Sequence, residues 1–273
     1  MALPLAGKHC AVVGATGIIG FSIAKAFAQQ GAVLTLLARS AAEARPRLEP
    51  QLRPYSLPGT TTTTTTTTKD TGDFGVPAAH RFIPLDVADR ESIKAVFGAR
   101  GSSSKPQTGT AVGPIDVLVN CAGITQTSLL MRTSDEHLSD IVDTNLLATI
   151  LVCKHAKMRP NGCIINVSSL MGTKGGLGAT AYAASKAGVI GFTRALCREM
   201  ASRSIRVNAL LPGWVNSSMW TDLKPEIKQA FLKDTPLNRV AEPAEVADAA
   251  LFLASNGFAN NCVLNLDGGL SAA

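Results

Sequence analysis

The sequence predicts a single α/β domain, a doubly wound parallel sheet with helices on both faces, and three observations predict it. Short continuous apolar runs alternate with helical patterns along nearly the whole chain, as expected of strands buried on both faces and joined by crossover helices. The first run, Cys10 to Val13, passes at once into GATGIIG and a helical pattern, so the chain opens strand, glycine turn, helix. A length of 273 residues with 46% hydrophobic content supplies a large core, and α/β folds of this size commonly form one domain, here 1–273.

The first helix runs through Ala28, and the second strand, Val33 to Leu37, completes a βαβ unit by Ala38 and ends at Arg39. From about 41 to 80 the periodicity is lost, and Thr60 to Thr68 form an unbroken threonine tract. Such a composition cannot build a packed face and reads as a solvated, disordered insertion. A second insertion, from about 98 to 113, is rich in Gly, Ser and Thr. Both fall between elements, where insertions are best tolerated. The remaining elements alternate: strand Phe82 to Leu85, helix from Arg90, strand Val117 to Val119, a long helix through Asn145, and strand Cys163 to Val167. Helix Ala181 to Met200, strand Arg206 to Leu210, helix Pro243 to Ala254 and strand Val263 to Leu266 complete the series.

Composition narrows the function classes. The net charge is +6, but Lys and Arg are scattered among acidic residues instead of forming a basic stripe with aromatics, so no nucleic-acid partner is expected. No apolar run approaches the roughly 18 to 20 residues of a membrane-spanning helix. The cysteines (Cys10, Cys121, Cys153, Cys163, Cys197, Cys262) form no C-x-x-C pair and lie mostly inside apolar runs, which suits reduced core thiols. Four scattered histidines and no H-E-x-x-H motif give no metal site. The first strand begins within about ten residues, too soon for a cleavable secretory signal; the expected location is intracellular, in the cytoplasm or the mitochondrial matrix.

Gly14, Gly17 and Gly20 lie between a predicted strand and helix, the context in which glycines allow a tight turn and bring backbone N–H groups to a pyrophosphate. Taken alone, this is equally a sharp turn that binds nothing. A site preferring NAD would place a carboxylate at the end of the second strand; this chain has Ala38 and Arg39. An Arg there pairs with a 2′-phosphate, unless it is an ordinary surface Arg. Tyr182 and Lys186 are spaced i, i+4 on one helix face, a weak pattern by itself. Ser168 and Ser169 end one strand, Asn120 to Gly123 end another, and Asn145 lies in the helix between them; the carboxyl ends of parallel strands line the ligand crevice of such sheets.

With these residues in view, the chain resembles the short-chain dehydrogenase/reductase superfamily from Lys8 to Leu270, the two insertions apart. The ordered motifs are GATGIIG, LDV at Leu85 to Val87, NCAG at Asn120 to Gly123, Asn145, NVSS at Asn166 to Ser169, YAASK at Tyr182 to Lys186, and LPG at Leu211 to Gly213. SLLMRTSDEHLSDIVDTNL, YAASKAGVIGFTRAL and PLNRVAEPAEVA make it most similar to the β-ketoacyl-acyl-carrier-protein reductases and related carbonyl reductases. The resemblance implies a Rossmann fold, NADP(H) as cofactor, and NADPH-dependent reduction of 3-oxoacyl to 3-hydroxyacyl groups on acyl-carrier protein in fatty acid synthesis. The alternatives are a quinone or small-carbonyl reductase, an alcohol dehydrogenase, and a catalytically idle nucleotide-binding scaffold.

The same resemblance distributes roles. Tyr182 is the general acid, its pKa lowered by the Lys186 ammonium and an oxidised nicotinamide. Ser169 hydrogen-bonds the substrate carbonyl, Lys186 also holds the nicotinamide ribose, and Asn145 anchors a relay water; Ser168 is structural. The cofactor lies along Gly14, Thr16, Gly17, Ile19 and Gly20, then Arg39, then Asp86 and Val87 at the adenine. Beyond them come Asn120, Ala122 and Gly123, and finally Pro212, Gly213, Val215 and Ser217. The segment from Asn216 to Arg239 forms a mobile lid; joined to the net charge of +6, Arg132, Lys154, Arg159 and Arg203, on or beside helices, are expected to flank the crevice mouth and meet an acidic carrier, unless they are ordinary solvated helix faces. A homotetramer or dimer is expected. The chain departs from the family at Gly17, where a basic residue is usual, and at Ile18, the usual place of the middle glycine. It also looks short around Lys157 to Asn161, and has Asn238 and Asn261 where glycines are expected.

Overall fold

The computed structural model describes residues 3–55, 75–98, 111–221 and 223–272. The strands are β1 (His9–Val13), β2 (Val33–Ala38), β3 (Arg81–Pro84), β4 (Ile115–Asn120), β5 (Met158–Val167), β6 (Arg206–Pro212) and β7 (Val263–Leu266). They form one sheet in the order β3-β2-β1-β4-β5-β6-β7, every neighbouring pair parallel. The order reverses between β1 and β4, and that switch point opens a crevice at the carboxyl ends of the strands.

The helices are α1 (Ile18–Gln29), α2 (Ala41–Leu48), α3 (Arg90–Phe97), α4 (Asp135–Val142), α5 (Ala148–His155), α6 (Met171–Lys174), α7 (Thr180–Glu199), α8 (Ser218–Thr221), α9 (Pro225–Asp234) and α10 (Pro243–Ser255). Side chains alternate across the strands and so feed two apolar layers. Val12, Leu34, Leu36, Val119 and Ile165 pack with Ile23 and Phe27 of α1 and with Val246 and Leu253 of α10. Val13, Leu37, Leu118 and Ile164 pack on the other face with Ile93 of α3, Val152 of α5 and Leu196 of α7. No helix among the described residues is long and apolar enough to cross a membrane.

Four expectations need correction. The stretch after Arg39 is not aperiodic at its start: Ala41, Ala44 and Leu48 are buried on α2, a short amphipathic helix masked in sequence by Pro46 and its arginines. The far end of that stretch is also ordered, because His80 accepts from Leu34 N (3.1 Å) and bonds Arg53 O (2.8 Å), bringing positions 53 and 80 together. The threonine tract itself, 60–68, and most of the second insertion, 99–110, lie outside the described residues. Val112, at the end of the second insertion, is buried and bonds Val96 O (3.0 Å). The strand expected from Cys163 begins at Met158, and only Ala156 and Lys157 separate it from the end of α5 at His155. A bulge absorbs the misfit, with Ile115 opposite Met158 but Val117 opposite Cys163. Asn161, Asn238 and Asn261 take φ of +60°, +51° and +58°, a left-handed conformation that Asn tolerates in place of glycine.

Candidate active site

The glycine turn is built for close approach. Gly14 has φ +81°, and a Cβ there would lie 2.6 Å from Ala122 N, so the turn after β1 and the segment after β4 meet backbone to backbone. A Cβ on Gly20 would strike the Gly14 carbonyl, which fixes how near α1 lies to the turn. Gly17 caps α1 with extended backbone, and the helix has neither a side-chain cap nor an acidic residue in its first turn. Its first N–H groups therefore face the crevice uncompensated, with the positive end of the helix dipole behind them, and suit an anionic pyrophosphate. Ile19 packs back on the core. The Thr16 hydroxyl meets Ser40 Oγ at 3.4 Å, placing the end of β2 beside the turn. Arg39 is exposed there, with no ion pair or hydrogen bond among the described residues. After β3, Asp86 accepts from Ala88 N (3.0 Å) and its own N–H bonds Ser92 Oγ (3.2 Å), while Val87 packs on the core.

On the other side of the switch point, Asn120 is buried at the end of β4 and donates to Asn166 Oδ1 on β5 (2.9 Å). Asn166 in turn donates to Thr193 Oγ1 of α7 (3.0 Å). Asn120 thus ties strand to strand, and its own Oδ1 is buried without a partner among the described residues. Ala122 packs on the core, and Gly123 leaves room for its neighbours: a Cβ there would lie 3.0 Å from Asn145 Oδ1 and 3.4 Å from Lys186 Nζ.

Asn145 sits in a single π-helical turn, Asp143–Leu147, between α4 and α5, the kind of helix defect that marks functional sites. Its amide accepts from Ile124 N (2.8 Å) and donates to Ile124 O (2.9 Å) and Ser185 Oγ (3.1 Å). Three of its amide positions are thus filled by protein, and its carbonyl accepts from Thr149 Oγ1 (2.9 Å).

Tyr182 and Lys186 project from the first turns of α7, with the ammonium 5.8 Å from the phenol ring centroid. Lys186 is 5% exposed and donates to Val167 O at the end of β5 (3.0 Å). Burial draws its pKa down to about 8, partly opposed by Cys121. Burial raises the Tyr182 pKa, and Ser169 partly opposes the rise. In the chain alone the phenol is thus held protonated, the state a proton donor needs. Ser169 itself is fixed by Met171 N (3.2 Å). Ser168 points inward and donates to Lys186 O (2.7 Å), a structural contact.

The segment after β6 closes the crevice. Leu170 N bonds Pro212 O (3.0 Å) and Gly213 N bonds Leu266 O (2.9 Å). Val215 is buried and bridges to Ala241, and the Ser217 carbonyl accepts from Thr221 N (2.9 Å) at the start of α8. The expected lid carries two helices, α8 and α9, pinned by an aromatic cluster in which Trp214 lies 5.7 Å from Trp220 and 4.4 Å from Phe231.

Three predicted basic residues are not at this crevice. Arg159 lies near the amino end of β5, its Nε 3.7 Å from Asp116; Arg203 precedes β6 and donates to Met158 O; Lys154 ends α5. The chain leaves each of those elements, or enters the next strand, at the opposite end of the sheet. Arg132, after β4, stays on the crevice side. Sequence reasoning missed Ser185 and Gln126, whose roles depend on contacts across 40 and 55 positions. All six cysteines are free, with burial raising Cys121 and Cys163 to about 11 and Cys153 to about 12. Among the described residues no group of three His, Cys, Asp or Glu could hold a metal.

Comparison with known proteins agrees with this geometry. A family model described as Enoyl-(Acyl carrier protein) reductase matches residues 59–271. The 3-oxoacyl-[acyl-carrier-protein] reductase FabG of Chlamydia muridarum (strain MoPn / Nigg) is 37% identical over 98% of this chain and 98% of its own. The 3-oxoacyl-[acyl-carrier-protein] reductase of Mus musculus is 34% identical over 96% and 98%. The Carbonyl reductase family member 4 of Danio rerio is 35% identical over 95% and 96%.

Proposed function

The chain belongs to the short-chain dehydrogenase/reductase family, and from that premise we propose that it is an NADPH-dependent reductase of 3-oxoacyl groups carried on acyl-carrier protein. The observation that carries the reading is the buried Lys186, held by Val167 O (3.0 Å) with its ammonium 5.8 Å from the Tyr182 ring centroid, on the first turns of α7 beside Ser169. The residues around the crevice fit a dinucleotide. The glycine turn with its uncapped helix would hold the pyrophosphate and Arg39 the 2′-phosphate, with Asp86 and Val87 at the adenine. Gly123, Lys186 and the segment from Pro212 to Ser217 would hold the nicotinamide end. When bound, the dinucleotide supplies a hydride.

The chain's own residues do the rest. Ser169 Oγ orients the substrate carbonyl, and Tyr182 gives its proton to the developing alkoxide oxygen. Lys186 anchors itself on Val167 O, so its remaining N–H groups are left for the ribose. Its positive charge stabilises the phenolate left when the proton departs. Asn145 holds the Ile124 backbone against α7, so that the crevice wall and the proton donor keep one geometry.

The acyl-carrier substrate is supported by the crevice mouth. Leu129, Leu130, Met131 and Leu177 are exposed there, and Gly178 brings the Leu177 loop against Ser128, with Arg132 beside them. Apolar side chains suit an acyl chain and a basic one suits an acidic carrier. A small-carbonyl reductase is the second reading, favoured by the carbonyl reductase relative. We take residues 1–273 as one nucleotide-binding domain, since one sheet draws its strands from His9 to Leu266. We further expect a homo-oligomer, dimer or tetramer, working in the cytoplasm or the mitochondrial matrix.

NADPH oxidation measured with the same 3-oxoacyl group on acyl-carrier protein and on a small thiol, and with quinones, decides between the two. The carrier substrate should have the higher kcat/KM, its advantage shrinking with salt as charges are screened beyond about 8 Å. Equal constants at low salt, or a preferred quinone, would establish the small-carbonyl reading.

A further inference from the structure

Helix α7 carries Tyr182 in its first turn, yet it begins without a cap of its own. Ala179 precedes it with no side-chain acceptor, and its first turn holds no acidic residue. The N–H groups of a helix's second and third residues are the usual partners of a capping side chain; here these are Ala181 and Tyr182. Both donate to the same distant atom, Oε1 of Gln126, at 2.8 and 3.4 Å. Gln126 is 4% exposed. Its Nε2 is committed as well, donating to Ser128 O (2.9 Å) and reaching Thr133 Oγ1 (3.3 Å) and Thr180 Oγ1 (3.4 Å). A buried amide with this many partners holds one orientation.

Gln126 belongs to the loop that leaves β4 through Gly123, the wall of the crevice. The same loop is tied to α7 a second time: Ile124 is clasped by Asn145, Asn145 donates to Ser185 Oγ (3.1 Å), and Ser185 Oγ donates to Tyr182 O (2.7 Å). The Tyr182 N–H is therefore held from the loop by Gln126, and its carbonyl accepts from Ser185 of the same helix, which Asn145 links to the loop at Ile124. An ordinary capping residue at position 179 would satisfy the helix without tying it to the crevice wall. We infer that Gln126 is a positioning residue for catalysis, capping α7 from the β4 loop so that the Tyr182 hydroxyl is registered against the carbonyl that the loop and Ser169 present.

The inference rests on Tyr182 being the proton donor, so Tyr182→Phe is the control. If that variant keeps its activity, the functional reading falls; if it loses activity while the Gln126 variants do not, only this inference falls. Gln126→Met keeps the volume and removes acceptor and donors. Gln126→Glu keeps an acceptor for Ala181 and Tyr182 N–H and loses the amide donors. With NADPH and a 3-oxoacyl thioester, Gln126→Met should lower kcat about tenfold per NADPH-binding site, with the NADPH Kd unchanged, since small misplacements of a reacting group lower rate more than binding. Gln126→Glu should recover most of that loss. Its added carboxylate should also move the alkaline limb of the pH profile upward, by at least about 0.3 unit, because it disfavours a phenolate and favours an ammonium. Parent kcat in Gln126→Met with only a lower melting temperature would reduce Gln126 to a structural cap and overturn the inference. So would a Gln126→Glu variant no faster than Gln126→Met, or, should Gln126→Met not fold, a Gln126→Glu pH profile identical to the parent's.

Discussion

The two ends of the sheet treat polar groups in opposite ways. At the amino ends, Asp116 accepts from His9 N (2.8 Å) and draws in Lys8 (3.5 Å) and Arg159 (3.7 Å). The buried His9 ring is held by Pro114 O (2.7 Å) and Thr35 Oγ1 (2.8 Å). At the carboxyl ends groups stay uncommitted among the described residues: the first turn of α1 has no side-chain cap, Arg39 is exposed, Asn120 Oδ1 has no partner, and the Lys186 ammonium is desolvated with one carbonyl for company. Charges matched within the chain serve stability, whereas groups left under-matched beside a crevice are available to a ligand.

That contrast is sharpest at Tyr182. Tyr182→Phe keeps the ring and removes the proton, and turnover should fall at least ~10²-fold with NADPH still bound, as read by steady-state rates and a fluorescence titration of the dinucleotide. Lys186 tests the cost of the under-matched end. Its folded pKa of about 8 lies below its ordinary value of 10.5, so between these pH values the unfolded chain binds more protons and stability rises with pH. The full swing is up to about 3 kcal/mol. Denaturant melts of the parent should show this rise relative to Lys186→Met, which lacks the titrating group; parallel curves would mean that the ammonium is not desolvated.

Smaller effects follow at the edges of both regions. Arg39→Asp should reverse the cofactor order, changing the NADPH to NADH ratio of kcat/KM by roughly tenfold to a hundredfold, the scale of a charge-assisted contact of about 1.5 to 3 kcal/mol. Equal use of both cofactors by the parent would remove Arg39 from the site. At the amino end, Asp116→Ala leaves His9 N unpaired and should lower unfolding free energy by about 1 to 3 kcal/mol, with kcat per folded molecule unchanged. A loss of turnover there would break the division between the two ends.

How much was legible follows the range of the interactions. The strand and helix order, the glycine turn and the i, i+4 pair of Tyr182 and Lys186 are local patterns, and the structure contains each within a few residues of its expected place. Helix α2 was hidden because its short apolar stripe is interrupted by Pro46 and arginines. The early start of β5 was hidden because a bulge has no compositional signal. Arg159 and Arg203 looked like crevice residues because position along the chain does not tell which end of a strand a side chain occupies.

By itself the sequence determined the alternation of buried strands and crossover helices, and hence the crevice at the switch point. It also determined which residue types arrive there, because hydrophobic period and turn chemistry act between near neighbours. Only the tertiary structure decided the protonation balance and the aim of the site. The direction of the Tyr182 shift depends on burial outweighing the Ser169 hydrogen bond, and the depressed Lys186 pKa depends on the walls around it. The cap on α7 comes from Gln126, 55 residues before Ala181. Desolvation and long-range hydrogen bonds exist only once distant segments are packed together, and no local pattern records them.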